Sequence, residues 1–305
     1  MLLSRRSMLA GLAVASVSPV AGGVQAAEPP PFPVPEDPPQ ERRDYAEARK
    51  HFQTRLLRRG PSPELAPPLG TPAGATRVLY RSGEQKELEL IAWVSEHAPS
   101  RELKPAVLFL HGGNATGDGH WQLMKPYVEA GFVVMLPSFR GENGQMGYYS
   151  GFYDETSDAL AAAEYLENLP GVDRERLFLA GHSNGGTLAL LAAMTRRFRA
   201  AVPMSAGVDA WRYFSRYSDD MPFDDRNAEE FVMRSSVCFG HSLKCPTLLL
   251  RGTEERPFDR NHQLTIDRAR AVGVSIDHRL LPGSHNAMVP GAVAESIRFF
   301  RSYGA

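Results

Sequence analysis

The pentapeptide Gly-His-Ser-Asn-Gly at residues 181–185 constrains the fold of this chain more than any other feature. It follows an apolar run that ends at Ala180 and precedes a segment with helical spacing. A serine on a tight turn between a strand and a helix is exposed at the end of the strand, and the glycines around it let backbone and helix approach closely. The start of the helix also directs backbone amides toward the serine. The pattern therefore predicts that Ser183 is a nucleophile and that the amide of Asn184 stabilises an oxyanion.

Apolar runs alternate with helical segments from residue 76 onward. The predicted strands lie at residues 77–81, 87–94, 106–110, 132–136, 177–180, 200–204, 247–250 and 275–281. The predicted helices lie at residues 120–130, 154–169, 184–197, 259–272 and 291–303. Early strands followed by repeated β-α units predict an α/β fold with a mostly parallel, eight-stranded sheet flanked by helices. Because ligands of such sheets bind beyond the carboxyl ends of the strands, the residues after each strand are candidates for a site.

A second glycine-containing turn follows the third predicted strand. Residues 111–114 read His-Gly-Gly-Asn directly after the apolar run 106–110. A turn of this type supplies a second amide to the oxyanion in esterases whose serine lies on a G-x-S-x-G turn. We therefore predict that the amide of Gly113 is the second oxyanion donor. The amide of Asn114 is the alternative if the turn is displaced by one residue.

The catalytic partners of such a serine follow it in the order acid, then histidine. His285 lies in the loop between the last predicted strand and the last predicted helix, where it can reach the serine and act as general base. His262 falls on a predicted helix and His241 precedes a predicted strand, so both are expected to be structural or surface histidines. His285 is therefore the predicted base.

Together these motifs resemble the catalytic domain of the prolyl oligopeptidase and dienelactone hydrolase group, over about residues 106–300. The resemblance also rests on Pro-Ser-Phe-Arg-Gly at residues 137–141 and Lys-Cys-Pro-Thr-Leu-Leu at residues 244–249. It implies an α/β-hydrolase fold with a short cap insertion at about residues 207–244, and a serine hydrolase that needs no cofactor and no metal. The aromatic residues of that insertion are candidates for substrate contact, namely Trp211, Tyr213, Phe214 and Tyr217.

The resemblance also points to the acid of a Ser-His-acid triad. Members of the group usually carry an aspartate in the loop after the acid-bearing strand, and the matching position in this chain is Glu255. Glutamate serves as the acid elsewhere in this fold, because either carboxylate can orient the imidazole and stabilise its charged form. Glu255 is therefore the predicted acid, and Asp259 and Glu254 are the alternatives.

Charge and cysteine content exclude some classes of function. The chain has 34 basic and 35 acidic residues and a formal net charge of −1, which does not suit a nucleic-acid binder that relies on a strong overall positive field. Two cysteines, Cys238 and Cys245, are too few for a disulfide scaffold or a four-cysteine zinc site. The sequence leaves open whether these two pair in an oxidising compartment.

The N-terminal residues have the three-part pattern of an export signal. Arg5 and Arg6, the weakly apolar stretch after them and the small residues up to Ala27 predict a twin-arginine-like signal peptide at residues 1–27. The apolar stretch is shorter than the roughly 20 residues that span the hydrocarbon of a bilayer. We therefore predict a periplasmic or secreted protein without stable membrane insertion after cleavage.

Residues 28–72 are predicted to be a proline-rich tether and a helical arm ahead of the main domain at residues 73–305. The tether, residues 28–39, is expected to be extended rather than packed. A helix is predicted over residues 44–58, because four apolar side chains fall on one face of it, namely Tyr45, Ala48, Phe52 and Leu56.

These predictions favour an exported serine hydrolase that cleaves carboxylic esters through an acyl-enzyme. Residues 28–72 are too few for the β-propeller that screens substrates in related peptidases, so an open or lightly capped site is expected. Esters also release a better leaving group than amides do. The alternative is a prolyl-oligopeptidase-like peptidase or aminopeptidase for short peptides, and a more remote one is a hydrolase-fold protein that binds a ligand without catalysis.

Overall fold

A computed structural model describes residues 32–97, 102–255 and 259–305 of the chain. The predicted signal peptide, residues 1–27, and the start of the tether, residues 28–31, lie outside the described residues. Within the described ranges, no helix is long and apolar enough to cross a membrane.

Eight strands form a single sheet. They are β1 (Ala75–Ser82), β2 (Leu88–Ser95), β3 (Lys104–Leu110), β4 (Val133–Pro137), β5 (Val172–His182), β6 (Ala201–Met204), β7 (Thr247–Gly252) and β8 (Ile276–Leu281). Their order in the sheet is β1-β2-β4-β3-β5-β6-β7-β8. Strand β2 is antiparallel to both β1 and β4, whereas the other neighbours are parallel. The predicted mostly parallel, eight-stranded sheet is therefore confirmed.

Helices cover both faces of this sheet. The described residues contain α1 (Tyr45–His51), α2 (Asp118–Gln122), α3 (Lys125–Glu129), α4 (Tyr153–Glu167), α5 (Asn184–Thr195), α6 (Ala210–Phe214), α7 (Ala228–Val232), α8 (Arg260–Arg270) and α9 (Val289–Ser302). Buried residues of α4 and α5 belong to one apolar core, and buried residues of α3 and α9 belong to a second one. The flanking helices of the predicted α/β fold are thus present on both sides.

The central strand β3 shows why the sequence reads as an unbroken apolar run. Leu108 and Leu110 face one core, whereas Val107 and Phe109 face the other. Successive side chains of a strand point to opposite faces, so a strand that is covered on both faces is apolar throughout. The end of β3 is therefore fixed from both sides, and the turn after it has a defined position.

The helix predicted over residues 120–130 is divided into α2 and α3. Pro126 lies in the first turn of α3. Proline has no backbone N–H, so it cannot continue the hydrogen bonds of a helix that begins earlier in the chain. A new helix starts there instead, because the first turn of a helix tolerates proline.

The arm helix is shorter than the predicted segment 44–58. It ends at His51, and the chain continues in extended form from Phe52. The amide of Arg55 donates to Oε1 of Glu230 at 2.6 Å, and the amide of Leu57 donates to the carbonyl of Pro222 at 2.8 Å. Because these bonds take the backbone donors that a longer helix would need, the prediction for residues 52–58 was wrong.

The described part of the tether is also packed, contrary to expectation. Phe32 is buried, and its ring centroid lies 4.7 Å from that of Phe231. Arg268 donates hydrogen bonds to the carbonyls of Pro38 and Pro39. The prolines keep this segment free of regular structure, but the apolar ring of Phe32 gains by burial and draws it onto the domain.

Arg234 joins the arm, the segment 207–244 and the sheet domain. Its guanidinium is fully buried and lies 2.6 Å from Oε2 of Glu230. It also donates to the hydroxyl of Thr54, on the arm, and to the carbonyl of Ser150, both at 2.7 Å. A buried charge that has lost its partner is strongly destabilising, so this cluster holds the three segments together.

Candidate active site

Ser183 lies on the tight turn between β5 and α5. Its backbone has φ 56° and ψ −118°, in the left-handed half of conformational space that non-glycine residues seldom adopt. A Cβ on Gly181 would lie 2.2 Å from the carbonyl oxygen of Gly185, and a Cβ on Gly185 would lie 2.0 Å from that of Leu110. Both positions therefore require glycine, and the strand, turn and helix are those expected from the pentapeptide.

The side chains of Glu255 and His285 are in contact. Oε2 of Glu255 lies 2.7 Å from Nδ1 of His285. Its other oxygen, Oε1, accepts from the Ser205 hydroxyl at 2.6 Å and from the amide of Gly252 at 2.8 Å. Burial raises the pKa of Glu255, but these hydrogen bonds outweigh it and leave the pKa below its usual value. Glu255 is therefore an anion that faces the imidazole.

None of the alternative acids contacts His285, although Asp259 and His262 line the same cleft as Ser183. Oδ1 of Asp259 faces Nδ1 of His262 at 2.9 Å and accepts from two amides at the start of α8. Glu254 is exposed to solvent. His241 contacts the carbonyl of Arg43, on the arm. Among the described residues, Glu255 is thus the one candidate acid in contact with His285.

Ser183 and His285 line the same cleft, which has a volume of about 460 Å³. Glu255, Gly113 and Asn184 line it as well, so the cleft brings all five predicted site residues together. Among the described residues, no hydrogen bond joins the Ser183 hydroxyl to His285. This bond is often long in serine hydrolases without substrate and tightens when substrate binds.

The turn after β3 adopts the conformation that its glycines allow. Gly113 has φ 74°. The amide of Asn114 donates to Oε2 of Glu64 at 3.0 Å, so it is already occupied. The side-chain amide of Asn184 donates to the carbonyl of Gly113 at 3.1 Å, which ties the turn to the serine. The geometry thus favours Gly113 over Asn114 as an oxyanion donor.

Three contacts of the site were not predicted from the sequence. His182 donates its Nε2–H to the carbonyl of His285 at 2.9 Å, and burial lowers its pKa to about 4, so it is neutral near pH 7. Ser205 donates to Glu255. Its position just after β6 could have indicated a role, because ligands of such sheets bind beyond the carboxyl ends of the strands. Glu64 comes from the arm, where nothing in the local sequence indicates a role.

Residues of segment 207–244 also line the cleft. Tyr213 and Tyr217 line it, whereas Trp211 and Phe214 are buried in the core. Burial raises the pKa of Tyr213 to about 12, so its hydroxyl stays protonated. Charged side chains of this segment and of β7 line the cleft as well, namely Asp209, Arg212, Arg216, Asp220 and Arg251. No group of three or more His, Cys, Asp or Glu side chains in the described ranges is arranged to hold a metal ion.

Sequence comparison identifies the family of the chain. The profile of the prolyl oligopeptidase family matches residues 120–284, which is more than half of the chain. The chain belongs to the prolyl oligopeptidase family. The segment that matches the family includes Ser183 and Glu255 and ends one residue before His285.

Individual relatives cover parts of the chain. The uncharacterized peptidase YtmA of Bacillus subtilis (strain 168) is 25% identical over 173 residues, which are 52% of this chain and 66% of that protein. Dipeptidyl peptidase 4 of Porphyromonas gingivalis has a TM-score of 0.61 and 22% identity, over 75% of this chain and 35% of that chain. A puromycin-hydrolyzing peptidase of Mycobacterium tuberculosis has a TM-score of 0.63 and 22% identity, over 76% of this chain and 40% of that chain. The chain thus covers less than two thirds of each relative, and the two solved structures confirm the α/β-hydrolase fold.

Proposed function

We propose that the protein is a serine peptidase that hydrolyses short peptides through an acyl-enzyme on Ser183. The match of residues 120–284 to the prolyl oligopeptidase family carries this proposal. The similarity to a Bacillus subtilis protein described as a peptidase points the same way. Both favour a peptidase over the carboxylesterase expected from the sequence.

In the proposed mechanism, the Ser183 hydroxyl attacks the scissile carbonyl while His285 takes its proton as general base. The carboxylate of Glu255 accepts a hydrogen bond from Nδ1–H of His285 and stabilises the imidazolium. The amides of Gly113 and Asn184 bind the oxyanion of the tetrahedral intermediate. His285 then gives the proton to the departing amine, and the same groups assist the water molecule that releases the acyl group.

The size and polarity of the cleft support a peptide substrate. About 460 Å³ is within the range of pockets that hold small ligands. Guanidinium and carboxylate groups in the lining of the cleft suit a ligand with charged termini and amide groups better than an alkyl ester. The ring of Tyr213 adds an apolar surface for a side chain.

Labelling and a substrate panel test this proposal in two steps. A fluorophosphonate should label wild type and the surface control Ser302→Ala equally, and should leave Ser183→Ala unlabelled. Aminoacyl p-nitroanilides, aminoacyl p-nitrophenyl esters and alkanoyl esters are then compared by kcat/KM. We expect turnover of the unblocked amides. Amides that stay inert while acetyl and butyryl esters are hydrolysed would favour a carboxylesterase. Equal labelling of Ser183→Ala and wild type would favour a protein that binds without catalysis.

A further inference from the structure

A buried histidine and a buried glutamate lie behind the turn that carries Gly113. The side chain of His111 has no exposed area, and that of Glu142, in the loop after β4, is 6% exposed. Nε2 of His111 lies 3.0 Å from Oε2 of Glu142, and Nδ1 lies 3.1 Å from the carbonyl oxygen of Gly112. The proposed mechanism uses neither side chain.

The partners of the two ring nitrogens determine the protonation of His111. A carbonyl oxygen can only accept, so Nδ1 carries a hydrogen. Nε2 faces a carboxylate oxygen that also accepts from the Ser138 hydroxyl at 3.1 Å and from the amide of Phe139 at 3.0 Å. The Thr116 hydroxyl lies 2.9 Å from Nε2 and donates to the same carboxylate oxygen at 3.3 Å, so it accepts from Nε2. An oxygen with these donors around it is held as an anion, so Nε2 carries a hydrogen as well. Both nitrogens donate only when the ring is an imidazolium.

Electrostatics favour the same charged pair. Burial lowers the pKa of His111, but the Glu142 carboxylate outweighs it and leaves the pKa above its usual value. Burial raises the pKa of Glu142, and His111 with the nearby donors brings it below its usual value. The neighbouring ring of His120, 5.1 Å away, has a pKa lowered to about 4, chiefly by burial, and is neutral near pH 7.

The bond to Gly112 determines where the amide of Gly113 points. The carbonyl of Gly112 and the N–H of Gly113 belong to one planar trans peptide unit, in which they point in opposite directions. A Cβ on Gly112 would lie 3.2 Å from Cβ of Ser183, so this peptide unit lies against the serine. Fixing the carbonyl from behind therefore fixes the direction of the N–H in front.

We propose that His111 is a positioning residue for oxyanion stabilisation. Held as an imidazolium by Glu142, it binds the Gly112 carbonyl and directs the N–H of Gly113 toward the carbonyl that Ser183 attacks. This inference rests on the proposed function. The charged hydrogen bond also polarises the peptide unit and strengthens its N–H as a donor. Because the substrate oxygen gains its charge only after attack, the effect falls on kcat rather than on KM.

A double-mutant cycle separates this role from a merely structural one. His111→Gln leaves Glu142 buried without its counter-charge, so this variant should lose stability, and the double variant His111→Gln/Glu142→Gln should regain much of it. We expect kcat to stay about 10- to 100-fold below wild type in both, with KM within about threefold, because the oxyanion donor is misdirected. Glu142→Gln should lose less kcat, because a neutral imidazole can still donate from Nδ1.

Glu295→Gln is the matched control, since it breaks the pair that this nearly buried carboxylate forms with Arg279, away from the turn and the arm, and should lower stability without lowering kcat. A double variant that regains both stability and wild-type kcat would overturn the inference, as would a loss confined to KM.

Nitrogen-15 NMR of the resting protein at pH 7 should show two protonated ring nitrogens for His111, and a single one would contradict the imidazolium. If the fluorophosphonate fails to label Ser183 in wild type, the proposed function is lost. If labelling is normal but the double variant has the wild-type kcat, only the inference about His111 is contradicted.

Discussion

The carboxylate of Glu64 accepts a hydrogen bond from the backbone amide of Asn114 at 3.0 Å. Glu64 belongs to the arm and lies 50 residues before Asn114 in the chain. The nearby arm residue Ser62 donates its hydroxyl to the carbonyl of the same asparagine. The arm therefore holds the turn after β3 by both backbone polar groups of Asn114.

Glu64→Ala should lower kcat/KM about 3- to 10-fold while it changes the free energy of unfolding by less than about 0.5 kcal/mol. The reason is that an exposed hydrogen bond adds little stability but restrains the turn next to Gly113. Glu64→Gln keeps an acceptor oxygen and should stay within about twofold of wild type. The exposed Glu84→Ala is the control. Equal kcat/KM for Glu64→Ala and Glu84→Ala would show that the arm does not restrain the site.

Glu255→Gln should lower kcat about 10⁴-fold, because the imidazolium of His285 loses the anion that stabilises it. Asp259→Asn and Glu254→Gln are matched controls, since one contacts His262 and the other faces solvent. Steady-state kinetics on one substrate measures all three variants. If Asp259→Asn abolishes activity while Glu255→Gln stays active, the acid is Asp259 and the assignment of Glu255 is wrong.

The alternation of apolar runs was enough to predict the sheet, since all eight predicted runs form strands. Buried parallel strands read as continuous apolar segments, and that signal is local in sequence. The end of α1 was not predictable in the same way. Residues 52–58 have helical periodicity, but the carboxylate of Glu230 and the carbonyl of Pro222 bind their amides. Such competition depends on contacts between residues far apart in the chain.

The candidate site shows the same division. Ser183 and His285 could be predicted because turns after strands converge at one edge of a sheet. Glu255 followed from its register in the family pattern, and its contact with His285 fits that register. The supporting bond from His182 and the contact of Glu64 depend on how loops fold back on the site, which no local pattern records.

Glu155 should make the folded state less stable as pH rises. Burial raises its pKa from 4.5 to about 7. Between these values the unfolded chain releases a proton that the folded chain keeps, so stability falls with increasing pH, by up to about 3 kcal/mol once pH exceeds 7. Glu155→Gln should therefore raise the Tm at pH 8 and change it little at pH 5. The exposed Glu175→Gln is the control. An equal Tm shift at both pH values would contradict the raised pKa.

Cys238 and Cys245 are free thiols in buried positions. Burial raises the pKa of both, that of Cys245 to about 11. Since the thiolate is the reactive form, the native protein should not react with Ellman's reagent at pH 8 within minutes, and two thiols should react in denaturant. If no thiol reacts with the reagent in denaturant without reductant, the two cysteines are paired instead.

Export through a twin-arginine route remains a prediction, because residues 1–27 lie outside the described residues. Arg5→Lys/Arg6→Lys should leave uncleaved precursor in the cytoplasm, as measured by fractionation and immunoblotting. The adjacent pair on the arm offers a matched control, Arg42→Lys/Arg43→Lys, which should be exported normally. Normal export of the first variant through the general secretory channel would rule out the twin-arginine route.

The bonds from the arm to Asn114 have a consequence for the homogeneity of the protein. During synthesis the arm emerges first, but it cannot bind Asn114 until β3 and the turn after it have formed. A molecule whose main domain has folded while its arm is misplaced would keep the sheet and every proposed catalytic group. Measurements of size and secondary structure would not distinguish this molecule from the native protein, although its activity would be lower. A preparation that is uniform in size and secondary structure can therefore contain two populations that differ in specific activity.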